Sequence, residues 1–461
     1  MSDSNIPPTS IPTALKAPNV AIVGGGLIGV MLGLGLSHRG IPFTIYERAS
    51  DWHEIGAGVA LTSVAQSSMQ RLHPEVLAAL HRVARANHFS FWDGFHPATH
   101  EAAQDASEAL HFLLDAPGTD YWCCMRSQFL RELVALLPAG STCFNKELES
   151  YVDDPSRQQV LLRFTDGTTA EADACEFSGV RSSANTDSAK VLGCDGIHSR
   201  TRQLLLGDDS PAAHASFTHQ VGYRAVLPIS EAIEVLGDAK GGRDFCIHIG
   251  PNAYVPSYPM LNGTETVLNM TTVIYTPEPW PHGQKMVAPA THDEVAQVFK
   301  DWSPPIRALI AKFPEKLMKW GIFDMADHPA PTYARGRVAI VGDAAHASTP
   351  FLGAGGAMGI EDALAMASAM QLVSATSTSA ASIPAALQAF SAVRRERSQW
   401  LVQSSREMGV IFQWRDAAAG NDGERFRVEA EQRTHKIWDF DVDGMVDQVR
   451  REFEQRTAGA A

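Results

Sequence analysis

Residues 19–48, NVAIVGGGLIGVMLGLGLSHRGIPFTIYER, read as a short β-branched strand, a glycine turn, an amphipathic helix ended by Gly40 and a second strand. Within them Gly24-x-Gly26-x-x-Gly29 lies between strand and helix, and Glu47, followed by Arg48, stands at the end of the next strand. The chemistry explains the spacing. Glycines permit a tight turn and close backbone approach to a pyrophosphate, the helix start offers free N–H groups and a positive dipole, and the acid accepts from ribose hydroxyls. The reading is a βαβ unit that binds a dinucleotide. NAD and FAD share the adenosine diphosphate half, so this stretch leaves the choice between them open.

Two further glycine–aspartate pairs follow apolar strands: Asp195-Gly196 in VLGCDGIHSRTR, and Gly342-Asp343 in RVAIVGDAAHASTPFLGAGGAMGIEDA. In Gly353-x-Gly355-Gly356 the bare backbone lets a flat ring approach, and the helix that begins there points its positive end at it. Between about residues 216 and 276, TVLNMTTVIY and DFCIHIGPNAYVPSYPM alternate like strands and break at Asn-Gly and Gly-Pro, which predicts a separate antiparallel sheet. Residues 385–408 and DGMVDQVRREFEQR have helical periodicity, and the polar segment 178–190 reads as a surface loop. Asp362 and His346 read as structural, as a first-turn acid and a satisfied histidine.

The 461 residues carry a formal charge of −14, which gives no long-range attraction to nucleic acid or anionic lipid. No apolar run approaches the ~20 residues of a membrane-spanning helix, and MSDSNIPPTSIPT has neither a basic nor an apolar leader region, so a cytoplasmic protein is expected. Six cysteines without a C-x-x-C pair predict reduced thiols and no metal site.

The three motifs in this order resemble the FAD-dependent aromatic hydroxylases, single-component flavoprotein monooxygenases similar to salicylate and para-hydroxybenzoate hydroxylases. The resemblance spans residues 19–438. It implies an α/β fold: a discontinuous Rossmann-like FAD-binding domain (19–85, 115–215 and 330–400) after a loose tail (1–18). An inserted, mostly antiparallel β-sheet substrate domain (86–114 and 216–329) and a helical C-terminal segment (401–461) complete it. It also implies bound FAD, NADPH or NADH as a transient reductant, and O2, which gives a C4a-hydroperoxyflavin. Only one strand-turn-helix fingerprint is present, so the nicotinamide has no Rossmann unit of its own. By the same resemblance Asp195-Gly196 lies near FAD and nicotinamide, Asp343 holds the ribityl chain, and Arg126, in MRSQFLREL, stands against the cofactor. The expected cofactor contacts are Gly24, Gly26, Gly29, Glu47, Arg48, Gly58, Arg126, Asp195, Asp343, Gly355, Gly356 and Ala357.

The flavin oxygen donor is electrophilic, so its substrate ring must be electron-rich, as a phenolate is. A cation within ~4–6 Å lowers a neighbouring acid by roughly 1–3 units, enough to ionise a phenol. Arg224, in the apolar strand QVGYRAVLP, is the first candidate for that cation, and Tyr258 and Tyr121 are candidate donors to the same oxygen. A narrower resemblance, in HQVGYRAVLP, HIGPNAYVPSYPM, SREM and RTHKIWDFD, is to fungal dearomatising hydroxylases of tropolone, sorbicillinoid and azaphilone pathways. It implies hydroxylation ortho to a phenol oxygen of a resorcylaldehyde or acylphenol polyketide, with Arg224 binding the phenolate and Tyr258 or Tyr121 directing the face attacked. Phe351 and Leu352 depart from relatives with polar residues there and make the pocket more apolar. The alternatives are a salicylate-type decarboxylative hydroxylase and, more remotely, a non-catalytic protein like the GDP-dissociation inhibitors, which lack this motif pairing. A halogenase is disfavoured by the missing W-x-W-x-I. The expected assembly is a monomer or homodimer.

Overall fold

The computed structural model describes residues 20–52, 58–96, 110–113, 121–171, 190–238, 244–281, 283, 285–376 and 382–458. The tail 1–18 and almost all of the polar segment 178–190 lie outside them.

The strand Val20–Val23 is central in a six-stranded sheet, paired in parallel with Phe43–Tyr46 on one side and Lys190–Gly193 on the other. Its residues are buried throughout, as an unbroken β-branched run in a parallel sheet must be. Val338–Ile340 extends the sheet beyond Lys190–Gly193, and a short antiparallel partner, Ala334–Arg335, closes that edge. The helix Leu27–His38 is apolar nearly all round because it is enclosed by this sheet and by the helix Gly355–Thr376. Each buried Leu, Ile or Val there contributes roughly 1.5–3 kcal/mol by leaving water.

A second sheet has eight strands, in the order Val287–Thr291, Lys316–Asp324, Ser216–Pro228, Glu265–Tyr275, Ala253–Asn262, Phe245–Gly250, Phe89–Asp93 and Leu110–Leu113. All its pairs are antiparallel except Phe245–Gly250 with Phe89–Asp93. Strand period decides its two faces. Val221, Tyr223, Ala225, Leu227, Val255, Leu268 and Met270 pack on the helices His292–Phe299 and Pro304–Ile310. The residues between them point the other way, and Gly222 and Arg224 among them face a cavity. The helix Ser382–Phe412 runs unbroken through residue 401, where the sequence reading begins a C-terminal segment, and Gly423–Trp438 and Val442–Ala458 follow it.

One expectation is corrected. Among the described residues Cys123, Cys124, Cys194 and Cys246 are free thiols, but Cys143 is disulfide-bonded. Bond formation depends on which thiols the fold brings together, and sequence spacing carried no sign of this pair.

Candidate active site

The three glycine motifs converge where the strands of the first sheet end. Gly24 N–H donates to Tyr46 O, Cys194 N–H to Val23 O and Val341 N–H to Gly193 O, which binds the motif-bearing turns edge to edge. Gly24 has φ +102, and a Cβ there would stand 2.5 Å from Cys194 O, so a side chain is excluded on both counts. At Gly29 a Cβ would meet Gly24 O at 2.1 Å: this glycine lets the helix pack on its own turn.

Around this turn lies a polar cavity of about 690 Å³ lined by Gly24, Gly26, Glu47, Arg48, Arg126 and Asp195, among others. Gly26 caps the helix with no side-chain acceptor, which leaves the first-turn N–H groups for a ligand. The Glu47 carboxylate accepts from Gly25 N–H at 2.7 Å and Ala49 N–H at 2.8 Å. It thereby fixes the turn while standing at the cavity wall. Asp195 accepts from Ser199 Oγ at 2.5 Å and from Thr201 N–H and Oγ at 2.9 and 3.0 Å. Burial raises its pKa, and those hydrogen bonds partly offset the rise. Lys146 and Arg200 also line the cavity but are held by Asp166 and Asp208.

A second cavity, of about 380 Å³, lies between the eight-stranded sheet and the loop that ends in Gly353–Gly356. The sheet supplies alternate residues of its strands: Gly222 and Arg224, Tyr254, Pro256 and Tyr258, Asn269, Thr271 and Val273, Phe245 and Ile247. The loop side supplies Asp343, Ser348, Phe351, Leu352, Gly355 and Gly356. The strand Tyr121–Met125 links the two cavities: Tyr121 lines the second, and Arg126, five residues or roughly 17 Å along, lines the first. Gly58 lines the second cavity, where a Cβ would stand 2.1 Å from Tyr258 Oη, so only glycine admits that tyrosine.

Arg224, Tyr258 and Tyr121 therefore share one chamber. The Arg224 guanidinium carbon lies 5.4 Å from the Trp320 ring centroid, and its buried Nε has no hydrogen-bond partner. Burial lowers the arginine's pKa and Tyr258 pulls it back up; a guanidinium stays charged at neutral pH. Burial raises the pKa of both tyrosines well above the usual value, so each is a neutral hydroxyl. Phe245 stands between them, its ring centroid 4.8 Å from Tyr258 and 5.7 Å from Tyr121. Phe351 is buried against Tyr254 and Phe412, and with Leu352 it makes the loop side apolar.

Ala357 lines neither cavity; it is buried in the core under the first turn of its helix. Asp362 and His346 are fully buried and paired, with His346 Nε2 2.6 Å from Asp362 Oδ2. Asp362 also accepts from Gly342 N–H at 3.0 Å and pairs with Arg394 at 2.7 Å, while Arg394 pairs with Glu361 at 2.7 Å. Burial alone would raise the Asp362 pKa, but His346 and Arg394 hold it at about 2. The network fixes the turn that carries Asp343, at Gly342 with φ +64.

Sequence reading missed Phe245, Trp320, Thr271 and Asn269 as chamber residues. Asn269 carried a signal: it is a polar residue inside the strand-like VLNMTTV, two positions from Thr271 on the same face. Among the described residues no cluster of three or more His, Cys, Asp or Glu could hold a metal ion, and no helix is long and apolar enough to cross a membrane.

The family model described as an FAD binding domain matches residues 18–405. An FAD-dependent monooxygenase of Aspergillus terreus is 47% identical over 445 residues, which cover 95% of this chain and 98% of that protein. A salicylate hydroxylase of Sarocladium schorii is 38% identical, over 96% of this chain and 92% of its own length. Among solved structures, a salicylate hydroxylase substrate complex superposes with a TM-score of 0.77 at 26% identity, over 94% of this chain and 98% of that one. The polar cavity with its uncapped helix start and the glycine-edged apolar chamber beyond it fit the two ends of FAD.

Proposed function

The chain belongs to the FAD binding domain family and is an FAD-dependent monooxygenase of the salicylate hydroxylase type, and from that premise we propose that it hydroxylates an acylphenol ortho to the phenol oxygen, with loss of aromaticity. NADPH or NADH is the electron donor, O2 the oxygen source, and a resorcylaldehyde-type polyketide of fungal secondary metabolism the substrate class. The observation that carries the reading is Arg224: a charged side chain with an orphaned Nε, placed in the chamber wall beside two neutral tyrosines.

When bound, FAD supplies electron storage and the activation of O2; the residues supply the rest. Gly24, Gly26 and the first turn of Leu27–His38 hold the pyrophosphate, with Arg48, Arg126 and Glu47 on the adenosine side. Asp343, in the chamber wall, would hold the ribityl chain. The first turn of Gly355–Thr376 directs its N–H groups and dipole into the chamber, worth ~0.3–1 kcal/mol toward a negative charge there. Arg224 holds the phenol oxygen as its anion, which raises electron density at the ortho carbon. In a chamber walled by Phe245, Tyr254, Phe351 and Leu352 that attraction is stronger than in water. Tyr258 and Tyr121 donate to the same oxygen from two sides and orient the ring.

We further assign the six-stranded sheet region to the cofactor and the eight-stranded sheet to the substrate, in a cytoplasmic monomer or homodimer. The decarboxylative alternative is favoured by the salicylate hydroxylase relatives alone. The test is a panel of acylphenols and salicylates incubated with holoenzyme and NADPH. A quinol from the acylphenols supports the proposal, and carbon dioxide released from the salicylates supports the alternative.

A further inference from the structure

Asn269 is 3% exposed, yet its side chain lines the substrate chamber and its Oδ1 has no hydrogen-bond partner. Ile247 and Val273 nearby have no polar side chain, and none of Tyr258, Thr271 and Arg224 on the same face donates to that oxygen. A buried amide oxygen without a partner costs roughly 1–3 kcal/mol, so such a group persists where a ligand completes it.

Register fixes the relation between this amide and the cation. Asn269 stands directly opposite Tyr258 in one pairing and Val226 in the other, and Arg224 stands opposite Thr271. Arg224 and Asn269 are thus diagonal neighbours on one sheet face, with backbones roughly 7 Å apart. Arg224 can only donate and carries the charge that favours an anion. The carboxamide both donates and accepts, and is neutral. One small ring lying across both therefore meets a site for an ionised oxygen and, one substituent away, a site for a protonated one.

We propose that Asn269 is a specificity-determining residue that hydrogen-bonds a second, un-ionised ring hydroxyl, so that the chamber selects meta-dioxygenated acylphenols over those with a single ring oxygen. This rests on the phenol reading above. The bond leaves one hydroxyl protonated while Arg224 takes the other as its anion, which fixes which oxygen directs hydroxylation. It also turns the ring so that a single ortho carbon faces the glycine-edged side of the chamber.

The probes are resorcylaldehyde and salicylaldehyde, which differ by that one hydroxyl. Binding to the oxidised holoenzyme is followed through the change in flavin absorbance, without turnover. The wild type is expected to bind resorcylaldehyde at least ~10-fold more tightly. In Asn269→Leu, close in size but unable to hydrogen-bond, the ratio falls to about one, through weaker resorcylaldehyde binding with salicylaldehyde unchanged. Asn269→Ala provides the same test if the leucine variant fails to fold or to retain FAD. A ratio that survives both substitutions, or a wild-type ratio near one, overturns the assignment while leaving the phenol reading intact. Failure of the wild type to bind either aldehyde overturns that reading and this inference with it.

Discussion

Replacing Arg224 by alanine removes a buried cation whose Nε has no protein partner, so its effect falls on the ligand. Two contributions add. A hydrogen bond to a charged group is worth about 1.5–3 kcal/mol, and a facing cation lowers a phenol, ordinarily near ~10, by roughly 1–3 pH units at 1.36 kcal/mol per unit. At neutral pH the variant therefore binds a phenol that is almost wholly protonated, and kcat/KM drops about 10²- to 10⁵-fold. The sharper readout is the pH profile. The ascending limb of kcat should move upward by roughly 1–3 units, and a spectroscopic titration of bound substrate should move with it. FAD content should not change, because Arg224 lines the substrate chamber and not the cavity around the glycine fingerprint. A variant whose bound phenol ionises at the wild-type pH would refute the role of Arg224, even if its rate were low.

Gly24→Ala should yield colourless protein with at least ~100-fold weaker FAD affinity, measured by ultrafiltration, because the new methyl meets Cys194 O at 2.5 Å and the backbone is at φ +102. Gly58→Ala should retain FAD but displace Tyr258, whose Oη stands 2.1 Å from the new Cβ position; product chirality compared with Tyr258→Phe and Tyr121→Phe checks this. Arg394→Met should lower stability by about 3 kcal/mol in denaturant titration, since Glu361 and Asp362 each lose a buried partner and keep only Arg397 and His346 against their charge. The folded-state pKa of Asp362 is depressed, from 3.8 to about 2, so its contribution of roughly 2 kcal/mol is complete above pH ~4 and lost as pH falls toward 2. Acid titration of Asp362→Asn should lack that component.

Local pattern carried much of this architecture. The apolar run VAIV, the glycine spacing and the acid at the following strand end specify a parallel strand–turn–helix, and the glycine–aspartate pairs after VLG and VAIV mark further strand ends. Alternation in QVGYRAVLP likewise sets Arg224 opposite in facing to Tyr223. Alternation says which residues share a face within a strand, but not which strands are neighbours. Asn269 is brought beside Arg224 by pairing between distant stretches, and Phe89 joins the chamber through a parallel pairing with Phe245 that no hairpin signal announces. The same limit explains Ala357: its place after Gly355-Gly356 suggests the cofactor wall, whereas helical rotation turns it into the core. The Cys143 disulfide is likewise a matter of tertiary proximity.

The central claim is that one oxygen atom from O2 is added to a ring carbon ortho to the phenol oxygen that Arg224 holds. Mass spectrometry of the product formed by holoenzyme, NADPH, a resorcylaldehyde with an alkyl group on that ortho carbon, and isotopically heavy O2 tests it. The account predicts a quinol that keeps every carbon of the substrate and carries one heavy oxygen at that position. A product without heavy oxygen, loss of the formyl carbon as formate, or NADPH oxidation that yields only hydrogen peroxide would contradict it.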